Sequence, residues 1–223
     1  TDELSGASGV AVAGRYAYVA SDGDDGVQVI DISNPSNPIG VGSIAHNTKG
    51  ADRLDGARSI AVVGRYAYVA SDNSDGLQVL DIADPTNPIG VGSINDNANG
   101  ATALNGARDV EVVGRYAYVV SVDGLQIVDI SDPANMVGVG SISNGSNGAD
   151  AMSLPRAVAV AGNYAYVTGN NNDGLQIIDI TDPTNPTGVG SIFDEADGAA
   201  ELEGPDGVVI AGTYAFVAGA SDS

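Results

Sequence analysis

Gly14-Arg15-Tyr16-Ala17-Tyr18-Val19 returns as Gly64-Arg65-Tyr66-Ala67-Tyr68-Val69 and again as Gly114-Arg115-Tyr116-Ala117-Tyr118-Val119. Two altered copies follow, Gly162-Asn163-Tyr164-Ala165-Tyr166-Val167 and Gly212-Thr213-Tyr214-Ala215-Phe216-Val217. The offsets are 50, 50, 48 and 50 residues. A second block, Gly26-Val27-Gln28-Val29-Ile30-Asp31, keeps the same step at 77–81, 125–129 and 175–179. A third, Gly40-Val41-Gly42-Ser43-Ile44, recurs from Gly90, Gly138 and Gly188. Residues 7–44 and 57–94 agree at 27 of 38 positions, so the chain grew by duplication. A fixed period of this length marks stacked supersecondary units and is read before anything else.

Each unit reads as four short strands. The first is the alternating Val10-Ala11-Val12, stopped by the Gly14-Arg15 turn. The second covers 16–20, with Tyr16 and Tyr18 on one face and Ala17 and Val19 on the other. The stretch Ser21-Asp22-Gly23-Asp24-Asp25-Gly26 then makes a hairpin turn, where Asp and Gly supply positive φ. The third strand covers 27–32 and the fourth 41–44, with Asn34-Pro35-Ser36-Asn37-Pro38 halting the ladder between them. Units of about 50 residues and four meandering strands are the blades of a β-propeller, an all-β fold. The units run over about 7–56, 57–106, 107–154 and 155–204, with a half-repeat at 205–223, and residues 1–223 read as one propeller domain or a piece of one.

These motifs resemble the LVIVD repeat: Gly-Arg/Asn-Tyr-Ala-Tyr-Val, then Gly-Leu-Gln-Ile-Ile-Asp-Ile, then Asp-Pro-Thr-Asn-Pro. The resemblance covers essentially the whole chain. It implies a propeller-like fold and bacterial or archaeal proteins that are exported or attached to the cell surface. It brings no shared catalytic residues that map onto this chain.

The circle is incomplete. The fifth unit, from Pro205, holds only its first two strands, and residues 1–6 match only the tail of an inter-unit loop. One expectation is that the chain is cut from a longer array, since the cut falls inside a motif and the chain opens on Thr1 without a leader. The other is that a neighbouring molecule completes the fifth blade, because an open strand edge templates pairing.

Composition narrows the function. Among 223 residues, 29 are Asp or Glu and 8 are Lys or Arg, a net charge of −21. Such a chain lacks the basic footprint that nucleic acid requires. No apolar run approaches the roughly 20 residues that span a bilayer. Without cysteine there is neither disulfide nor thiolate chemistry. The acids concentrate in turns and loops, which suits an extracellular or cell-surface setting.

Four sets of residues carry the candidate chemistry. Asp31, Asp81, Asp129 and Asp179 sit within the third strands at the phase of Val29, and a carboxylate buried in an apolar strand must be satisfied. The backbone N–H groups of the following Asp/Asn-Pro turn are the expected partners, a structural role in every blade. Gln28, Gln78, Gln126 and Gln176 are expected to line an inter-blade seam and hydrogen-bond backbone there. Hairpin-turn acids (Asp22, Asp24, Asp25, Asp72, Asp75, Asp123, Asp173) are natural hard-cation ligands, yet none fits the calcium-loop spacing, and turn chemistry explains them equally. The long loops at 45–56, 95–106, 143–154 and 193–204 vary most. Each carries an apolar residue (Leu54, Leu104, Met152 or Leu154, Leu202) expected to tuck the loop onto the body. The fourth gathers Asp194, Glu195, Asp197, Glu201 and Glu203, where a bridging Ca²⁺ is the candidate cofactor.

Catalysis has little support. His46 is the single imidazole, and no nucleophile elbow, phosphate loop or zinc pair occurs. The tyrosines sit regularly in second strands, where packing explains them better than sugar stacking. The reading is therefore a non-enzymatic scaffold presenting inter-blade loops to a protein or glycan. The alternative is a subunit of an extracellular filament or layer, self-assembled through the open blade. A calcium-dependent hydrolase or lyase ranks last.

Overall fold

In the computed structural model, which describes residues 4–196 and 198–219, every repeat forms an antiparallel meander. The first blade contains β1 (Ala7–Ala13), β2 (Tyr16–Ser21), β3 (Gly26–Asp31) and β4 (Ile39–Ala45). The second contains β5 (Ala57–Val63), β6 (Tyr66–Ser71), β7 (Gly76–Asp81) and β8 (Ile89–Asn95). The third contains β9 (Asp109–Val113), β10 (Tyr116–Ser121), β11 (Gly124–Asp129) and β12 (Val137–Ile142). The fourth contains β13 (Pro155–Ala161), β14 (Tyr164–Gly169), β15 (Gly174–Asp179) and β16 (Thr187–Phe193). A two-stranded fifth sheet pairs β17 (Pro205–Ala211) with β18 (Tyr214–Gly219).

The strands run slightly differently from the sequence reading, for local reasons. The third strand stops at Asp31, one residue early, because its carboxylate accepts the Ser33 N–H at 2.9 Å and turns the chain. The fourth starts at Ile39, directly after Pro38, and its pairing skips a residue: Val29 faces Gly42 and Ile30 faces Gly40. The other complete blades repeat this bulge.

Among the described residues the core is divided. The apolar residues divide into seams between consecutive blades. Tyr18, Val27, Val29 and Ile44 of the first blade meet Ile60, Val69, Leu80 and Ile82 of the second. Equivalent sets join the second to the third and the third to the fourth, and a thinner one joins the fourth to the half-blade. Leu54, Leu104 and Met152 from the inter-blade loops are buried in these seams; Met152 rather than Leu154 serves the third loop. Close approach explains the third repeated block. A Cβ on Gly42, Gly92 or Gly140 would lie 2.2 or 2.3 Å from the carbonyl oxygen of Pro85, Pro133 or Pro183 in the next blade.

The first strands of successive blades lie side by side, β1 by β5, β5 by β9, β9 by β13 and β13 by β17, and so line the inside of the arc. Both ends of the arc show apolar faces. Val10 is 65% exposed where its repeat equivalent Ile60 is 6%. Phe216 is 58% exposed where Tyr118 is 5%.

Candidate functional site

Strand register sorts the connections onto two faces. Ala7 pairs with Ser21, so the inter-blade loops and the β2–β3 type turns share one face, here the loop face. Ala13 pairs with Tyr16 and Asp31 with Ile39, which puts the Gly-Arg and Asp/Asn-Pro turns on the opposite face.

On the loop face, side chains inside each blade hold the loops. Gln126 is fully buried. Its Oε1 accepts from Thr102 N at 2.8 Å and Ala103 N at 3.1 Å, and its Nε2 donates to the carbonyls of Ile127 and Gly140 at 3.1 and 2.9 Å. Gln78 and Gln176 make the same four bonds in their blades. Gln28 donates likewise to Val29 and Gly42; the loop positions equivalent to those that bond Gln78 are residues 2 and 3, outside the described residues. A second latch uses one acceptor per loop. His46 Nδ1 accepts the N–H of Leu54, Asp96 that of Leu104, Asn144 that of Met152 and Asp194 that of Leu202, at 2.8–3.2 Å. A third runs between units: Asp25, Asp75 and Asp173 accept the N–H of Gly56, Gly106 and Gly204 at 2.8–2.9 Å. Those three aspartates sit at φ of 48–52°, a conformation Asp tolerates better than most residues.

With the loops held, a polar cleft of about 430 Å³ opens between the first two, lined by His46, Arg53, Asp55, Asn73, Asn95 and Asn97 among others. In the fourth loop Asp194, Glu201 and Glu203 border a hollow of about 300 Å³ with Val217 and Gly219. Glu195 occupies the adjoining turn at φ 56°, and Asp197 lies outside the described residues. One oxygen of Asp194 is already engaged by Leu202. Among the described residues no group of three or more His, Cys, Asp or Glu side chains is placed to hold a metal ion.

On the opposite face the strand aspartates meet partners the sequence reading did not foresee. Asp31, Asp81 and Asp129 pair with Arg15, Arg65 and Arg115 of their own blades, and each also accepts an N–H two residues on, from Ser33, Ala83 and Ser131. Each guanidinium lies over the neighbouring tyrosine, 5.2–5.6 Å from the centroid of Tyr16, Tyr66 or Tyr116. The arginine, then the turn donors, hold Asp31 and Asp81 below the usual carboxylate range and Asp129 at about 2. In the fourth blade Asn163 replaces the arginine, and Thr181 alone lowers Asp179. The signal was present in the sequence: Arg and Asp recur in step through the first three repeats, and the aspartate persists as Asp179 where Asn163 replaces the arginine.

The inner strands carry further polar residues that sequence reasoning passed over. Asp109 accepts from Ser59 Oγ at 2.6 Å and from Val158 N at 2.9 Å, tying β5, β9 and β13 together. Glu111 accepts from Val160 N, and burial raises its pKa. Near the loop face, Ser8, Arg58, Arg108, Arg156 and Asp206 surround a small hollow on the arc's inner side.

Four sheets arranged side by side, first strands inward, define a β-propeller built from sequence repeats. Residues 6–46, 56–96, 106–144 and 155–194 each match the LVIVD repeat, and the chain belongs to that family. No curated protein matches it in sequence. Among solved structures it is similar to a functionally unknown protein from Desulfotomaculum acetoxidans (12% identity, TM-score 0.68, 94% of this chain and 62% of that one). It also resembles the periplasmic gluconolactonase of Pseudomonas aeruginosa (16%, 0.67, 83% and 53%). A third likeness is virginiamycin B lyase from Staphylococcus aureus (11%, 0.60, 92% and 59%). At such identities these likenesses establish the fold alone. The chain spans little more than half to three fifths of the length of these proteins. No helix among the described residues is long and apolar enough to cross a membrane.

Proposed function

We propose that the protein is a non-catalytic interaction scaffold, working outside the cell or at its surface, that presents its inter-blade loops to a glycan or protein partner. The supporting observation is a division of labour within the loops. The inward latch bond recurs in every loop, whatever residue supplies its acceptor, whereas residues bordering the cleft such as Arg53 and Asn73 are replaced in the other units. A fixed frame with a variable surface is how scaffolds carry binding sites. A role without turnover is favoured by the employment of His46, whose Nδ1 accepts from Leu54 and Asp55 in a place taken elsewhere by Asp96, Asn144 and Asp194. The acidity, −21 overall, is the ground for the extracellular setting. Glycan and peptide arrays probed with the chain test the reading. Ligands retained by wild type and lost by Arg53→Ala with Asn97→Gly are expected. Binding unaffected by both changes, or hydrolysis of glucono-lactone above background, would overturn it.

A second reading, self-assembly, draws on the two exposed faces. Val10 and Val12 at one end correspond to positions that in later blades pack against a preceding blade, and Val209, Tyr214 and Phe216 at the other to positions that receive a following one. A second copy docking end to end would repeat an interface the chain already uses, and a heterologous contact of that kind closes into a ring or extends as a filament. Sedimentation of the 223-residue chain should show oligomers that Val10→Lys disperses; a monomer at high concentration would refute it.

A further inference from the structure

The chain has seven arginines, and they occupy two repeat positions plus Arg53. Arg15, Arg65 and Arg115 follow the first-strand turn. Arg58, Arg108 and Arg156 stand at the start of the inner strands, at the place held by Ser8 in the first unit and Asp206 in the fifth. Ser8, those three arginines and Asp206 line one hollow of about 260 Å³ at the loop-face end of the arc's inner wall.

The two sets are employed differently. Every arginine of the first set has its own strand aspartate. In the second set only Arg58 is well paired, with Nε 2.7 Å from Asp72 and a terminal nitrogen 3.6 Å from Asp22. Arg156 Nε stands 3.7 Å from Asp206, beyond hydrogen-bonding distance. Arg108 donates to the carbonyl of Pro155 at 3.3 Å and appears in no ion pair among the described residues. The Nε atoms of Arg108 and Arg156 are buried without a hydrogen-bond partner. A guanidinium offers five donors, and burying it unpaired is costly. Burial first, then the neighbouring charge of Arg156, push the Arg108 pKa down; Asp72 opposes this shift and Arg58 adds to it.

We propose that Arg58, Arg108 and Arg156 form a binding site on the inner wall for the carboxylate of a sugar acid, with Arg108 and Arg156 as the principal donors. The planar guanidinium fork matches a carboxylate. The rim supplies acceptors for flanking hydroxyls: the Asp206 carboxylate and the lone pairs of Ser8, whose own proton goes to the Ala57 carbonyl at 2.8 Å. Asp22 and Asp72 close by repel a multiply charged anion, so a single carboxylate among hydroxyls fits better than a phosphate ester. The site consists of inner-strand residues and does not depend on the loop-face reading above.

The test is NMR titration of the full chain with D-glucuronate, D-glucose and inorganic phosphate in separate arms. Saturable shifts at the amides of Arg58, Arg108 and Arg156 are expected with glucuronate and none with glucose. Arg108→Gln should weaken glucuronate at least tenfold, Arg108→Lys should fail to restore it, and Arg115→Gln on the opposite face should leave it unchanged. Absence of saturation in wild type, phosphate binding as well as glucuronate, or Arg108→Gln binding like wild type would each overturn the assignment. If Arg108→Gln does not fold, Arg156→Gln, whose side chain is a third exposed, serves as the same test with the same outcomes.

Discussion

Replacing Gln126 by alanine removes four hydrogen bonds from a site with no access to solvent. A typical neutral bond contributes about 0.5–1.5 kcal/mol net, while a buried group left without a partner costs about 1–3 kcal/mol. The N–H groups of Thr102 and Ala103 lose the acceptor they share, so the second range applies to them. The Ile127 and Gly140 carbonyls border the bulge between β11 and β12 and are nearer the lower range. At the low end of both ranges the four together cost about 3 kcal/mol, a large share of the 5–15 kcal/mol by which domains are ordinarily stable. In a repeat array such a loss is felt first by the unit and its nearest seam. Hydrogen exchange read by mass spectrometry is therefore the appropriate assay, with peptides over 98–107 compared with a reference over 57–70. Protection in the loop should fall on the order of a hundredfold, at 1.4 kcal/mol per tenfold, with little change in the reference. Gln126→Glu keeps the acceptor but sets a carboxylate against two carbonyls. Its defect should be greatest at neutral pH and shrink on acidification, as the protonated acid regains a donor. Loop protection within about threefold of wild type in Gln126→Ala would refute the claim that this side chain holds the loop.

Three other outcomes are expected. Arg115→Asn, which copies the fourth blade, should leave stability at neutral pH little changed because the arginine is solvent-exposed, and NMR titration should find Asp129 moved up from about 2. The sign is fixed by that depression: the contribution of Asp129 is present above the ordinary carboxylate range and is lost as pH falls towards about 2, so the variant should show a shallower acid limb. Gly92→Ala places a Cβ 2.3 Å from the Pro133 carbonyl and should destabilise by about 1–3 kcal/mol in urea, whereas Gly190→Ala, with only Ile177 Cδ1 at 3.9 Å, should be neutral. Asp75→Ala removes the acceptor for Gly106 N–H and strains a residue at φ 49°; a loss of about 1–2 kcal/mol is expected, partly recovered by Asp75→Gly.

The repeat made the strands legible because period-two alternation and turn residues act locally, and each local signal was repeated. The face assignment of Tyr18 against Val19 needed only the pleat. Strand ends were less legible, since the end of β3 depends on a side chain, Asp31, reaching back to its own turn. Least legible were contacts between units. Nothing near Gln126 in the sequence indicates Thr102 and Ala103, 24 and 23 residues earlier. The partner of Asp31, Arg15, lies across two strands. Only the reappearance of both residues in register through the first three repeats carried that information.

The same device separates structure from function in the arginines. A residue that architecture requires should recur with its partner, as Arg15 does with Asp31, Arg65 with Asp81 and Arg115 with Asp129. Where the arginine is lost, at Asn163, the fold still closes its turn through Thr181, so the pair is an accessory to a local hydrogen bond that suffices by itself. The inner-wall column behaves otherwise. Arg58, Arg108 and Arg156 recur while their surroundings do not: Asp72 and Asp22 serve the first, a backbone carbonyl the second and a distant Asp206 the third. Packing three cations side by side opposes folding, and in a chain of 29 acids and 8 bases an aspartate for each was readily available. A column that keeps its charge without a repeated partner is what a site for an external anion requires, and it is on this contrast between the two columns that the sugar-acid assignment stands.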